Sequence, residues 1–236
     1  MPLTRASEAY ATKWEVLVFG VPGVGKTTLF ASAPNVLYIS VDENGHIVLQ
    51  DHPKAKDITV FHTRSWKELV AFVVDLPRNE LVKEVDTIVV DTISECQTLH
   101  RLVEIGGGKV NEEGWKFNQY VYTVNNFKVQ ALIRGIKAAR KNVAWLCHMT
   151  TDQIIDSRGN VTQVVTRPAL SATLLAAVQT NIDGQFYYKR SGSNRILETD
   201  GSGEVQTKSR FRLSRPLQNP TWEQLEKLLT SRMKGT

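Results

Sequence analysis

The fold of this 236-residue chain is decided by the stretch Gly20-Val-Pro-Gly-Val-Gly-Lys-Thr-Thr28. It matches the phosphate-binding pattern G-x-x-x-x-G-K-[ST]. An apolar, β-rich run at 15–19 precedes it, and the residues at 28–32 are suited to continue as a helix. Because a strand, a glycine turn and a helix start follow in the order that the pattern requires, the stretch predicts a loop that binds a nucleoside triphosphate.

Each residue type in this loop has a physical role. Glycines let the backbone turn tightly and bring N–H groups up to phosphate oxygens, and the following helix adds its positive N-terminal end. Lys26 supplies a charge for the β- and γ-phosphates, and the Thr27 hydroxyl is a ligand for Mg²⁺. Pro22 lacks an N–H and stiffens the loop. The predicted nucleotide-binding residues are Gly20, Val21, Pro22, Gly23, Val24, Gly25, Lys26, Thr27 and Thr28.

Composition sets the class of protein. Apolar residues make up 42% of the chain, enough to fill the core of one large α/β domain. The net charge of +5 permits a polyanionic partner without requiring one. Cys96 and Cys147 lie in or beside apolar runs, which favours buried free thiols and a reducing cytoplasm. The chain shows neither a signal-peptide pattern nor an apolar run of ~18 residues, so we expect no membrane partner.

Strand-like runs alternate with helical stretches in the first 150 residues. This alternation predicts a mostly parallel central sheet flanked by helices, the α/β fold of P-loop NTPases. The predicted strands lie at 15–19, 36–41, 86–91 and 142–148, and the predicted helices lie at 65–76, after 91 and within 115–140.

Short strand-like runs separated by turn residues follow at 161–166, 182–189 and 195–198, and they predict antiparallel hairpins that extend the sheet. A short helix at 171–178 interrupts them, and an amphipathic helix capped by Thr221 ends the chain. We therefore expect a single domain over 1–236. Its parts are an N-terminal extension (1–13), a nucleotide-binding core (14–150), a sheet extension (151–215) and a C-terminal helix (216–236).

Two further acidic positions bear on hydrolysis. Asp91 ends a strand, where it can hold Mg²⁺ opposite Thr27; the alternative is a helix N-cap. A group that activates water is also needed, and Glu43 is favoured because it follows the second strand, whose end lies near the nucleotide. Asp42 and Glu95 remain its rivals.

The glycine loop, the acidic pair after the second strand and the aspartate-ended strand occur in the order of RecA-like P-loop ATPases, which this sequence resembles. The resemblance implies ATP and Mg²⁺ as cofactors, Glu43 as the water-activating residue and His148 as the sensor of the γ-phosphate at the end of the fourth predicted strand. RecA proteins carry glutamine at that last position, and they are longer.

Compactness and the histidine fit a narrower group, the bacteriophage ATPases that consist of little more than a RecA core and serve in single-strand annealing or recombination. This similarity spans roughly 14–215. It implies single-stranded DNA as a partner, a homo-oligomeric ring or filament with nucleotide at the subunit interface, a possible single-strand-binding protein and a location in the host cytoplasm. The segments at 106–116 and 150–167 match DNA-binding loops of this family, although Trp115 can equally anchor a helix.

A late basic segment resembles the cations with which such ATPases reach a neighbour's γ-phosphate. It reads Lys208-Ser-Arg-Phe-Arg212, and the resemblance assigns Lys208 and Arg210 to catalysis in trans. The alternative is a solvated basic strand. For the protein as a whole, the alternative function is an ATPase of the same fold that acts on a protein client without DNA; nothing in the sequence matches the lid of a small-molecule kinase.

Overall fold

A computed structural model of the chain describes residues 13–42, 44–101, 119–211 and 216–231. Within these ranges one ten-stranded sheet forms the centre of the molecule. In chain order its strands are β1 (Glu15–Gly20), β2 (Val36–Ser40), β3 (Ile58–His62), β4 (Thr87–Asp91), β5 (Asn142–Ile155), β6 (Val161–Pro168), β7 (Gly184–Ser191), β8 (Asn194–Glu198), β9 (Lys208–Ser209) and β10 (Leu217–Gln218).

Helices connect and cover these strands. They are α1 (Lys26–Ala31), α2 (Ile47–Gln50), α3 (Trp66–Asp75), α4 (Glu80–Lys83), α5 (Ile93–Leu99), α6 (Gln119–Ala138), α7 (Ala172–Asn181) and α8 (Trp222–Thr230). Several begin where the sequence supplies a side-chain cap. Ser65, Thr92 and Ser171 each accept a hydrogen bond from a backbone N–H of the first turn. Thr221 forms the full capping box with Gln224, so the predicted C-terminal helix is confirmed.

The strand order is β10-β8-β7-β1-β5-β4-β2-β3, with β6 paired to β5 and β9 paired to β7. The pairs between β1 and β5, β5 and β4, β4 and β2, and β2 and β3 are all parallel, and β7 joins β1 in parallel as well. The ladders of β6, β8, β9 and β10 are antiparallel. The predicted α/β fold, a mostly parallel sheet extended by late antiparallel strands, is confirmed.

Alternate residues of the central strands fill two cores, one on each face of the sheet. Leu17, Ile88 and Trp145 belong to the core covered by α3, α5, α6 and α7. Val18 and Tyr38 belong to the core covered by α1 and α8. Because parallel strands with helices on both faces must be apolar on both sides, their sequences read as continuous apolar runs rather than as alternating ones.

The register brings the carboxyl ends of the central strands to one edge of the sheet. Gly20 at the end of β1 pairs with His148, and Asp91 at the end of β4 pairs with Leu146 on the same strand, β5. Ser40 at the end of β2 pairs with Asp91. The residues that follow these strands are therefore neighbours in space, which is what positions the candidate site.

Three features of the sheet differ from the sequence-based expectation. The edge strands β3 and β10 were not predicted, and β5 continues to Ile155 instead of ending at His148. The segment at 150–167 is consequently not an open loop. It is a two-stranded antiparallel ribbon in which Thr150 pairs with Arg167 and Ile154 pairs with Gln163.

Both cysteines are free and buried, as predicted. Burial raises the pKa of each thiol, Cys96 and Cys147, to about 12. In the parts of the chain that the structure describes, no helix is long and apolar enough to cross a membrane.

Candidate functional site

The glycine loop lies between β1 and α1, as the pattern predicts, and its backbone leaves no room for side chains at two positions. A Cβ on Gly20 would lie 2.1 Å from the Tyr188 carbonyl oxygen. Gly25 has a φ of +104°, a conformation that side-chain-bearing residues rarely adopt. These two glycines therefore fix the path of the loop, a backbone of the kind whose N–H groups bind phosphate.

The side chain of Lys26 folds back over its own loop. Its Nζ donates to the Gly20 carbonyl oxygen at 2.9 Å and to the Val21 carbonyl oxygen at 3.0 Å. Because an ammonium group has three donors, one further hydrogen bond is open to a phosphate oxygen. Burial lowers the pKa of Lys26, and the negative charge of the Asp91 carboxylate opposes that shift because it favours the protonated amine.

Thr27 and Asp91 meet at the end of β4. The Thr27 hydroxyl donates to Asp91 Oδ2 at 2.7 Å, and Tyr38 holds the same threonine by donating from its hydroxyl to the Thr27 carbonyl oxygen at 2.6 Å. Asp91 is only 5% exposed. Burial raises its pKa, while the hydrogen bond from Thr27 and the charge of Lys26 lower it. One hydroxyl and one carboxylate in contact are the oxygen ligands that suit a partly hydrated Mg²⁺.

His148 lies beside this pair at the end of the predicted fourth strand. Its backbone N–H donates to Ser94 Oγ at 3.1 Å, and its Nε2 lies 3.8 Å from Oε1 of Glu95. Its Nδ1 is buried and has no hydrogen-bond partner among the described residues. Thr92, which caps α5, accepts from the Glu95 N–H at 3.2 Å and so orients the first turn that carries this glutamate. The site thus brings together His148 and Glu95, one of the rival water-activating carboxylates.

Glu43, the favoured carboxylate, lies outside the described residues. Its neighbour Asp42 is described, and its charge contributes to raising the pKa of Asp91. Asp42 is therefore near the pair of Thr27 and Asp91. The assignment of Glu43 stays a prediction, with Asp42 and Glu95 as its alternatives.

Lys208 and Arg210 lie near the start of β1, whereas the glycine loop follows its end. Strand β9 pairs with β7 at Gly184 and Gln185, and these residues pair with the first half of β1. Lys208 Nζ donates to the Gln179 carbonyl oxygen, and Arg210 forms an ion pair of 3.3 Å with Asp183. Within one chain neither cation is next to the glycine loop, so their predicted role requires the loop of a neighbouring subunit.

The structure describes only one of the two segments predicted to bind DNA. The segment at 106–116, including Trp115, lies outside the described residues. In the ribbon, Arg167 is engaged by its own chain. It pairs with Asp152 and donates to the carbonyl oxygens of Pro168 and Leu170. Arg158, at the ribbon tip, is exposed.

The sequence did not predict that Arg195 lies next to the glycine loop. A Cβ on Gly25 would lie 3.1 Å from Cζ of Arg195, so the guanidinium of this β8 residue packs on the glycine loop. No local pattern marks Arg195, because the contact joins segments far apart in the chain. A signal would have been available only after β8 had been placed beside β7 and β1.

A glycine loop at the end of a central parallel strand, with a lysine folded over it and a threonine–aspartate pair beside it, defines a P-loop NTPase. The model of the AAA domain family matches residues 12–211, and the chain belongs to that family. Membership of this family indicates nucleotide hydrolysis, so the chain is a P-loop ATPase of the AAA type. Comparison with curated proteins gives no significant match. The narrower resemblance to annealing ATPases stays a prediction.

Proposed function

We propose that this P-loop ATPase hydrolyses ATP with Mg²⁺, binds single-stranded DNA and promotes annealing or recombination, as the bacteriophage ATPases that it resembles do. In hydrolysis, Lys26 neutralises charge on the β- and γ-phosphates, and the loop N–H groups fix their position. Thr27 and Asp91 hold Mg²⁺, which when bound neutralises phosphate charge. Glu43 orients the attacking water, and His148 responds to the γ-phosphate.

The observation that carries the DNA part is the continuity of β5. This strand pairs with the first loop residue, Gly20, at His148 and then runs without a break into the ribbon as far as Ile155. A shift of the His148 backbone on nucleotide binding is therefore passed along a continuous strand. The outer half of the ribbon, residues 151–155 and 161–162, is exposed. Because an isolated two-stranded ribbon is only marginally stable in water, this half is suited to be ordered by a partner.

The ribbon carries side chains that suit single-stranded DNA. Ile154, Ile155 and Val161 are 48%, 56% and 49% exposed, and they offer apolar surface to unstacked bases. The tip presents Arg158, whose backbone N–H is held by the Asp156 carboxylate at 2.8 Å. An exposed cation next to apolar surface combines a phosphate contact with contacts to the bases.

Assembly belongs to the same proposal. Lys208 and Arg210 lie far from the loop of their own chain, and in a ring or filament they reach the γ-phosphate of a neighbour. A cation supplied in this way stabilises the charge of the transition state and is worth about 10³-fold or more in rate. Hydrolysis then depends on the assembly that DNA promotes.

The second candidate is an ATPase with a protein client. The exposed apolar residues of the ribbon favour it, since such side chains also suit a protein surface. The two candidates differ in what the ribbon binds, and the response to DNA separates them.

Fluorescence anisotropy of a labelled single-stranded oligonucleotide tests the proposal. We expect tighter binding with ATP than with ADP, and an affinity that falls steeply with salt. The variant Arg158→Ala should weaken binding, whereas Arg190→Ala, the same change on an exposed strand residue outside the ribbon, is the control. Faster pairing of two complementary labelled strands in the presence of ATP would support annealing. An absence of DNA binding in every nucleotide state would contradict the proposal and favour a protein client. Binding that neither nucleotide nor Arg158→Ala affects would contradict the role of the ribbon.

A further inference from the structure

A cavity of about 460 Å³ opens beside the glycine loop. This volume is within the range of about 300 to 1,000 Å³ that is typical of small-molecule sites. Its walls come from the loop and α1, from Arg195 on β8 and from the residues that begin α8. They include Gly25, Thr28, Leu29, Arg195, Pro220 and Trp222. The cavity therefore shares residues with the phosphate site and continues from it.

Arg195 is held firmly at this place. Its backbone N–H donates to Asn219 Oδ1 at 2.9 Å, and its carbonyl oxygen accepts from the Asn219 N–H at 2.6 Å. Tyr188 lines the same cavity; burial raises the pKa of its hydroxyl, and the charge of Arg195 opposes that shift. Asn219 thus fixes the backbone of Arg195, and the guanidinium packs on Gly25.

In the ranges that the structure describes, no carboxylate forms an ion pair with Arg195, and Glu223 is the acidic residue that lines the same cavity. One face of the planar, partly buried guanidinium packs on the glycine loop. Its other face is suited to stack on an aromatic ring. The apolar walls supplied by Leu29, Pro220 and Trp222 suit the same kind of ligand.

We propose that this cavity receives the base and ribose of the nucleotide whose phosphates the glycine loop holds, and that the Arg195 guanidinium stacks on the base. The proposal rests on the proposed binding of ATP at the loop and names the residue that recognises its nucleoside. Since every base has a π-face, stacking of this kind discriminates little between ATP and other nucleoside triphosphates.

Calorimetric titration with two ligands tests this assignment, because inorganic tripolyphosphate carries the phosphates of ATP without its nucleoside. For Arg195→Ala we expect ATP binding to weaken about tenfold, in the range of a desolvated cation–π contact. Tripolyphosphate binding should change far less. Arg195→Lys keeps the charge and loses the planar group, so it should lose ATP affinity in the same way.

The matched control is Arg190→Ala. Arg190 pairs directly with Arg195 in the β7–β8 ladder and is exposed, so this variant removes the same charge from the same pair of strands. It should bind both ligands as the unmodified protein does. Thermal melting verifies that each variant is folded. If Arg195→Ala does not fold, Arg195→Lys takes its place in the comparison of the two ligands.

Three results would overturn the proposal. Equal losses for ATP and tripolyphosphate would show that Arg195 acts on phosphate charge alone. Unchanged ATP binding in both Arg195 variants would show that the base lies elsewhere. If the unmodified protein bound neither ligand, the function proposed for the loop itself would fail, and this inference with it.

Discussion

The hydroxyl of Thr27 lies 2.7 Å from a carboxylate oxygen of Asp91, although 64 positions separate the two residues in the chain. The contact exists because β1 and β4 flank β5 in parallel and end at the same edge of the sheet. It joins the two oxygen ligands predicted for Mg²⁺, and it places the charge of Lys26 close enough to affect the pKa of the carboxylate.

Asp91→Asn should abolish Mg²⁺-dependent hydrolysis, with a loss of at least about a hundredfold in turnover, since it removes the charge that holds the ion. The amide is isosteric, so the fold should survive. Phosphate release measured across a Mg²⁺ titration is the readout. Asp86→Asn, the same substitution at an exposed position just before β4, is the control and should leave turnover intact. Normal Mg²⁺-dependent turnover in Asp91→Asn would remove the metal assignment.

Glu43→Gln should lower turnover by about a hundredfold or more, in the range of general base catalysis, while ATP binding is retained. Glu95→Gln should lower turnover less. Single-turnover hydrolysis of pre-bound ATP separates the chemical step from binding. The reverse order of effects would give the role to Glu95, which lies 3.8 Å from His148.

Lys26→Ala and the double variant Lys208→Ala/Arg210→Ala should each be inactive alone, yet regain part of the activity when they are mixed. In the mixture some interfaces combine an intact loop from one subunit with intact cations from another. The readout is ATP hydrolysis against mixing ratio. A mixture as inactive as its components, despite confirmed co-assembly, would rule out a role in trans.

Cys96 and Cys147 should resist thiol reagents in the folded protein. Because burial raises each pKa to about 12, the thiolate fraction at pH 8 is on the order of one in ten thousand. A colorimetric thiol assay at pH 8 should detect almost no thiol in the native state and two per chain in denaturant. The rate should rise with pH, since ionisation occurs only as pH approaches the raised pKa. Rapid labelling of the native protein would contradict the burial of these side chains.

The parts of the fold that were predicted correctly have local signals. The glycine loop is a contiguous motif, and the buried strands that end at Gly20 and Asp91 are continuous apolar runs. Thr221 marks the start of α8 because its cap and its partner Gln224 are three residues apart.

The parts that were missed depend on contacts between distant segments. Strand β3 lies at the edge of the sheet and has three exposed residues, Thr59, Val60 and His62, so its apolar pattern is weak. The extension of β5 beyond His148 begins with the polar run Thr150-Thr-Asp-Gln153, which has no apolar alternation that would mark a strand. The contact between Arg195 and Gly25 arises only once β8 has paired with β7 beside β1.

The rate of ATP hydrolysis with and without single-stranded DNA, measured together with particle mass by light scattering, tests the central claim most directly. We predict that DNA raises the rate per subunit several-fold or more while the protein assembles on it, and that Lys26→Ala abolishes the stimulated rate. Robust hydrolysis that is indifferent to DNA at every protein concentration, by a particle whose mass DNA does not change, would contradict the account.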